Sequence, residues 1–564
     1  MLNGNAKATK VVVVGLDGAT LNLIRPWAAA GLLPNLSNLM AGGAWGPLRT
    51  VIPPITGPAW TSLATGQNPG KHGIYDFLSR RPGSYDLISV NASRRRSPSL
   101  WGLLSQAGRK AGVLNVPLTY PPEPVNGFMV TGMLTPPEAA DFCYPAELGE
   151  QLRQAVPDYV IQPGAILEAK GREAELVEAL QAMTDMRRRA ALHLLGHTDW
   201  DFFMVVFMAT DVVQHACWHF MDATHRDYDP TAAPALSQAI QSIYQQVDDT
   251  LGQIVAELDD QTYLFVMSDH GFGPLENYFH VNVWLWREGF LHFQNSPTAR
   301  LKQLLFRAGL TPLNTYRWLR ELGLADRLAR TAKRQRQRTR GLLGRAFLSF
   351  DDVDWQRTRA YSVGNVGPIY VNLRGREPQG IVEPGQDYEE LLAEISATLL
   401  NVPDPLSGRP LIERVYGREE LYSGPHLAEA PDLFFIPRNL RTNAFGALQF
   451  PSSHWLEPPF DRTGGHQMDG ILLAKGPGIR PGYQVDGARI IDLAPTILSL
   501  LDVPIPDDVD GHILSTLFTD ELAQGLQPVF THVATVAPNG HHPLELPAAA
   551  EEAVRARLQG LGYL

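Results

Sequence analysis

Residues 10–18 read KVVVVGLDG, and this stretch decides the fold. Four consecutive valines, apolar at every residue instead of every second one, suit a strand buried on both faces. Such strands belong to parallel sheets covered by helices on either side. The run ends in Gly15-Leu16-Asp17-Gly18. Ligands of open α/β sheets collect beyond the carboxyl ends of the strands, so Asp17 stands where a site would be built. An Asp there also serves as an ordinary helix cap.

Two more runs have the same character: 201–208 (DFFMVVFM) and Thr262–Met267 (TYLFVM). Helix-patterned stretches lie around them, at 172–195 and 235–258. This alternation predicts an α/β domain with a central, mostly parallel sheet sandwiched by helices. Residues 283–347 differ. They read as helical over 299–310 and 315–328, and 327–345 carries eight Lys/Arg and no acid. Strand-like sequence resumes at 359–373. The expected organisation is a core of 1–282 and 348–535, a helical basic insertion or cap at 283–347, and a C-terminal tail at 536–564 with a short helix from 549.

The 564 residues are 44% apolar and 19% charged, enough for a sizeable core and too apolar for general disorder. With 48 Lys+Arg against 59 Asp+Glu, the net charge of −11 argues against a nucleic-acid coat, and no specific nucleic-acid partner is expected. The basic stretch 327–345 is either a solvated face or a contact for an anionic surface or substrate. Cys143 and Cys217 cannot form a disulfide framework or a four-sulfur zinc site. The longest strongly apolar stretch, 202–209, has eight residues, whereas a spanning helix needs about 20. The four valines after MLNGNAKATK are too few for a signal-peptide core. A cytoplasmic location is expected, and the oligomeric state is left open.

The other candidate residues are scattered. Thr56 lies in 53–74, PPITGPAWTSLATGQNPGKHGI. Pro58 suits a first helical position, which makes Gly57 or Thr56 the N-cap. A hydroxyl there lies by the positive helix end, where a phosphate-like anion is favoured. Residues 66–72 (GQNPGKH) are no P-loop, since the gap is wrong and His72 stands where Ser or Thr is required. Asp211 and His215 follow 201–208 at a spacing that shares one helix face, and His219 extends that face. Asp269 and His270, in SDHGFGP, end the strand TYLFVM. His466 sits in the glycine-flanked TGGHQMDG of 463–470. Each alone also reads as a turn, cap or surface residue. Together they amount to three carboxylates and three imidazoles. Two metal ions with three ligands each, sharing a nucleophile, would use all six, and so many imidazoles favour Zn or Mn over Mg.

In this order the motifs GLDG, TGPAWTSLATGxxPxxHG, DxxxH, SDHG and GGH resemble the alkaline phosphatase superfamily. The resemblance is greatest to its type I phosphodiesterase/nucleotide pyrophosphatase and phosphomutase-like branch. It runs from residue 11 to about 511, apart from 283–347. The segment 491–498 (IDLAPTIL) and the ending LQGLGYL also look typical of the group. The resemblance implies an alkaline phosphatase-like fold with a helical insertion. It also implies that Thr56 is a transiently phosphorylated nucleophile in contact with metal. Asp17, Asp269 and His270 match the ligands of the metal that activates it; Asp211, His215 and His466 match those of a second metal. The family's metals are usually Zn, sometimes Mn. The implied function is a two-metal phosphohydrolase cleaving small-molecule phosphomonoesters or phosphodiesters. One alternative is a phosphomutase or phospho-group transferase on the same scaffold, in which a substrate hydroxyl replaces water. Another is a non-catalytic metal-binding adaptor recruiting an anionic partner through 327–345. Nucleotide pyrophosphatases of the branch carry an Asn shortly after the HG, but here Ile74-Tyr75-Asp76-Phe77 follows, and Gly57-Pro58-Ala59-Trp60 also departs from their pattern. The CxPxR-like sequence of sulfatases is missing as well, which argues against sulfate esters as the main substrate.

Overall fold

In the computed structural model the valine run is the strand β1 (Lys10–Leu16), with Val11 to Val14 fully buried. Residues 9–162, 171–321, 347–405, 408–526, 528–532 and 543–560 are described. Along the chain follow β2 (Ala44–Arg49), α1 (Thr56–Thr65), β3 (Ala111–Leu114), β4 (Gly127–Val130) and β5 (Cys143–Tyr144). Next come α2 (Glu173–His197), β6 (Phe202–Phe207), α3 (Ala209–Met221), α4 (Ala239–Ala256), β7 (Thr262–Met267) and β8 (Gly271–Pro274). After a long excursion come β9 (Gly464–Gln467), β10 (Asp469–Lys475) and β11 (Tyr483–Gln484).

The main sheet has the order β11-β2-β10-β7-β1-β6-β3-β4-β5. Its centre, β7-β1-β6-β3-β4, is parallel throughout. β10 runs antiparallel to both β7 and β2, and β5 antiparallel to β4. The sheet is therefore mostly parallel and flanked by helices, as the apolar runs predict. Helices α2, α3 and α4 pack as one group, and α1 packs with the helix Leu493–Leu500. Burying each of these Val, Phe and Met side chains contributes about 1.5–3 kcal/mol, which fixes the strand ends in space.

Several expected boundaries shift. The helix expected over 235–258 is two pieces, Pro234–Ser237 and Ala239–Ala256, broken at Gln238. That expected over 299–310 spans Pro297–Arg307, capped by the Ser296 side chain and stopped before Gly309, whose φ is +89°. That expected over 315–328 starts earlier, at Pro312, and is described as far as Glu321. The rest of it and the basic stretch 327–345 lie outside the described residues. The strand-like 359–373 is three short strands, Ala360–Tyr361, Gly364–Asn365 and Pro368–Val371.

A second apolar cluster joins residues on both sides of 283–347, among them Phe279, Phe350, Tyr361 and Phe435, with residues inside that segment, such as Trp284 and Phe306. Around it Asn277–His280 pairs in parallel with Thr442–Gly446, and Pro368–Val371 pairs antiparallel with Leu433–Pro437. Asn365, from the short strand Gly364–Asn365, lines one cavity together with His215 and His466. Among the described residues no helix is long and apolar enough to cross a membrane.

Candidate active site

The carboxyl ends of the three adjacent strands β1, β6 and β7 carry most of the candidate residues. Asp17 extends the ladder of β1, its N–H donating to Phe207 O at 3.0 Å. Asp211 lies in the first turn of α3, which begins directly after β6, and His215 follows one turn later. Asp269 and His270 leave β7. The fourth contributor is distant in sequence: β9 pairs antiparallel with β8, placing His466 opposite Phe272.

The cluster is buried, with Asp17, Thr56, Asp269 and His270 at 0% exposure and Asp211 at 1%. The three imidazoles are oriented alike. Nδ1 of His215 is 2.8 Å from Gly464 O, Nδ1 of His466 is 2.8 Å from Pro54 O, and Nδ1 of His270 is 3.1 Å from Gly271 O. A carbonyl can only accept, so each ring keeps its proton on Nδ1 and turns the Nε2 lone pair inward. Nε2 of His215 and of His466 each lie 3.3 Å from Asp211 Oδ1 and 3.0 Å from one another. Nε2 of His270 lies 3.2 Å from Asp269 Oδ2 and 3.7 Å from Asp17 Oδ1.

Among the described residues, Asp17 Oδ1, both oxygens of Asp211 and Asp269 Oδ2 are buried without a hydrogen-bond partner. Buried carboxylate oxygens with no donor are costly unless a cation takes that place. Burial and the repulsion of Asp269 and Asp211 push the Asp17 carboxyl well above the usual range, and burial with Asp211 does the same to Asp269. Burial pushes His215 down to about 4, and His270 falls well below its ordinary value, which keeps both lone pairs available. Asp211, His215 and His466 bring donor atoms within 4.8 Å of one another, and so do Asp17, Asp211 and His270. Asp211 thus belongs to both groups. Orphaned carboxylate oxygens facing convergent imidazole lone pairs are what divalent cations require.

Thr56 is the first residue of α1, and its Oγ1 lies 3.4 Å from His270 Nε2. The N-cap is Ile55, not Thr56 or Gly57, so Pro58 is the third helical residue. The first-turn N–H groups have no intrahelical partner, so proline is tolerated anywhere in that turn. Thr56 still sits at the positive end of the helix. One turn on, Trp60 Nε1 donates to Asp17 Oδ2 at 2.9 Å. Its indole lies over Gly15, where a Cβ would come within 2.4 Å of Trp60 Cη2. His219 is not brought to the cluster; its Nδ1 lies 3.1 Å from Thr463 Oγ1, bracing the loop before His466.

Sequence reasoning missed three participants. Trp60 could have been found, being on the same face of α1 as Thr56. Arg462 is buried, and its Nη1 lies 3.4 Å from His215 Nε2. Its proximity to His466 in sequence was the one local signal. Asn365 arrives from the second cluster's strands, and nothing local marks it. A cavity of about 30 Å³ beside the cluster is lined by Pro54, His215, Asn365, Val366, Arg462 and His466. Leu440 lines both this cavity and a cleft of about 740 Å³.

The model of the family "Type I phosphodiesterase / nucleotide pyrophosphatase" matches residues 11–440. Phosphonoacetate hydrolase from Sinorhizobium meliloti 1021, solved with phosphonoformate, superimposes with a TM-score of 0.50 at 15% identity, covering 88% of this chain and 95% of that one. Human ectonucleotide pyrophosphatase / phosphodiesterase 5 does so with a TM-score of 0.45 at 12% identity over 88% and 95% of the two chains. The murine enzyme in complex with AMP gives a TM-score of 0.46 at 13% identity over 88% and 96%. At these identities the likeness is one of fold. No curated protein sequence matches the chain.

Proposed function

The chain belongs to the type I phosphodiesterase/nucleotide pyrophosphatase family, a family of phosphoric ester hydrolases with the alkaline phosphatase-like fold, and from that premise we propose that it is a two-metal phosphohydrolase cleaving phosphomonoesters or phosphodiesters through a phosphothreonine at Thr56. Asp17, Asp269 and His270 would hold one divalent cation, and Asp211, His215 and His466 a second. Zinc is the proposed ion, because imidazole nitrogen suits it better than it suits Mg. When bound, such ions lower the pKa of a hydroxyl and neutralise charge building on phosphoryl oxygens.

The chain's own residues supply the rest. The Thr56 oxygen attacks phosphorus in line; its new P–O bond forms as the bond to the leaving oxygen breaks, and the proton given up by the hydroxyl balances the one taken up by the departing alcohol. The positive end of α1 faces the phosphoryl group. Trp60 fixes Asp17 through one hydrogen bond, so α1 and the β1 carboxylate keep a constant relation. The carbonyls of Pro54, Gly464 and Gly271 fix the imidazole tautomers. Full burial of Thr56 keeps bulk water from competing with it. Hydrolysis of the phosphothreonine then frees phosphate when the substrate is a monoester, and the remaining monoester when it is a diester. A cytoplasmic location belongs to the same proposal, supported by the two buried free thiols, Cys143 and Cys217.

The observation that carries this reading is the convergence of three inward lone pairs and four partnerless carboxylate oxygens beside the Thr56 hydroxyl. The test uses zinc-loaded protein with p-nitrophenyl phosphate and bis(p-nitrophenyl) phosphate. Thr56→Ala is expected to lower turnover by about a thousandfold or more. Equal turnover in wild type and variant sinks the nucleophile. Phosphate retained on an added alcohol instead of released makes the enzyme a transferase.

A further inference from the structure

The helix Pro297–Arg307 turns Ala299 and Phe306 inward, two turns apart, and both are buried. Lys302 ties its flank to the molecule, with Nζ 2.9 Å from each oxygen of Asp352. At 3.6 residues per turn, Leu301, Leu304 and Ala308 fall on the opposite face. All three are exposed, the leucines at 57% and 66%. A surface helix ordinarily sets polar residues there, and one that is apolar on both faces is ordinarily covered. The next helix, Pro312–Glu321, repeats the pattern: Leu313 is buried and Trp318 is 49% exposed. Exposed apolar side chains scattered singly are commonplace, whereas three large ones between 301 and 318 mark a contact.

The charge around them is equally uneven. Residues 297–320 carry five Lys/Arg and no acid, in a chain of net charge −11. Lys302 pairs with Asp352 at 2.9 Å and Arg317 lies 3.7 Å from Glu457, which leaves Arg300 and Arg307 without a carboxylate among the described residues. Both are exposed along one edge of the leucine face, Arg307 lying over the Trp286 ring at 5.2 Å. An occupant of this face has to be apolar at its centre and anionic at its edge. A second copy offering the same face would set arginine against arginine. At their exposure the leucines protrude from a convex helix. A deformable headgroup layer accepts such a ridge, with leucine among the acyl chains, arginine beside acidic headgroups and tryptophan at the boundary.

From this face and its charge we propose that Pro297–Arg307 and Pro312–Glu321 form a docking surface for an anionic lipid bilayer, on which the protein lies without spanning it. Co-sedimentation with vesicles tests this. Wild type is expected to bind phosphatidylcholine vesicles holding about 30% phosphatidylglycerol at least about tenfold more tightly than pure phosphatidylcholine, and to lose most of that preference in about 0.5 M salt. Leu301→Gln with Leu304→Gln is expected to weaken binding to the mixed vesicles by about tenfold or more. Arg300→Gln with Arg307→Gln is expected to remove about tenfold of the preference for anionic lipid. The melting temperature in the absence of vesicles is expected to stay at the wild-type value in both variants, because all four side chains face solvent. No enrichment on the mixed vesicles, or a leucine variant that binds them like wild type, overturns the proposal. Poly-glutamate bound as tightly as the mixed vesicles, with the leucine variant unimpaired on both, makes the occupant an acidic polypeptide and overturns it too. So does a vesicle-free dimer that the leucine substitutions dissociate, which makes the occupant a second copy. A melting temperature lowered by the leucine substitutions in a monomer places a segment of the chain itself on this face, with the same consequence.

Discussion

His72 is a fully buried imidazole that accepts the Ile74 N–H at Nδ1 and therefore donates through Nε2 to the Ser62 hydroxyl. Burial, with repulsion from Arg95 and His426, pushes it down to about 3. The unfolded chain protonates this ring near pH 6.5, so its contribution to stability is complete above that value and is lost as pH falls toward 3. One proton difference gives a slope of about 1.4 kcal/mol per pH unit in that window. Urea unfolding of wild type and His72→Gln between pH 7 and 5 checks this: the variant starts less stable and declines less steeply. Parallel slopes would contradict the assignment. The residues that sequence reading reached were those with a local signature. Asp17, Asp211 and Asp269 directly follow apolar strands, and His466 sits in a glycine loop. Arg462 and Asn365 were not legible as site residues, because their roles depend on which distant segment packs beside them.

At the scale of elements, the contact between α1 and β1 sets the nucleophile. Thr56 and Trp60 share one face of α1, and Trp60 can reach Asp17 only because Gly15 leaves room under the indole. Gly15→Ala forces the indole away, since a methyl at 2.4 Å cannot be accommodated. A loss of about 1–3 kcal/mol in unfolding free energy is expected, with a fall in turnover as α1 shifts. Denaturant titration and p-nitrophenyl phosphate assays measure the two effects; unchanged stability would mean the indole has another resting place. The buried parallel strands were legible because uninterrupted apolar runs of this length suit little besides a strand covered on both faces. Helix ends were less so, since a proline is acceptable at any position of a first turn and a break such as Gln238 carries no strong residue signal.

At the scale of the molecule, the second apolar cluster is organised around one buried ion network. Asp432 is fully buried and accepts from Arg376 at 2.6 and 2.7 Å, from Tyr388 Oη at 2.8 Å and from Val371 N at 2.7 Å, with Arg418 at 3.2 Å. The guanidiniums hold its carboxyl below the usual range in spite of burial. Asp432→Ala strips Arg376 and Arg418 of their shared acceptor and is expected to cost about 3–5 kcal/mol. Thermal unfolding reads the loss, and a change within error would show that Glu377 takes up the charge. This part of the molecule was the least legible. Its strands are two to six residues long, and partners such as Asn277–His280 and Thr442–Gly446 lie far apart in sequence, so no local pattern announces the pairing.

His466 reaches the donor cluster with one nitrogen and, with the other, grips the Pro54 carbonyl two residues ahead of the nucleophile. The strand that delivers it is therefore a splint across the mouth of α1. Any graft that replaces this loop with one from a relative also resets the angle at which the threonine meets its target. A chimaera made there can keep every ligand and still misfire, and its defect would surface in turnover long before it surfaced in metal content.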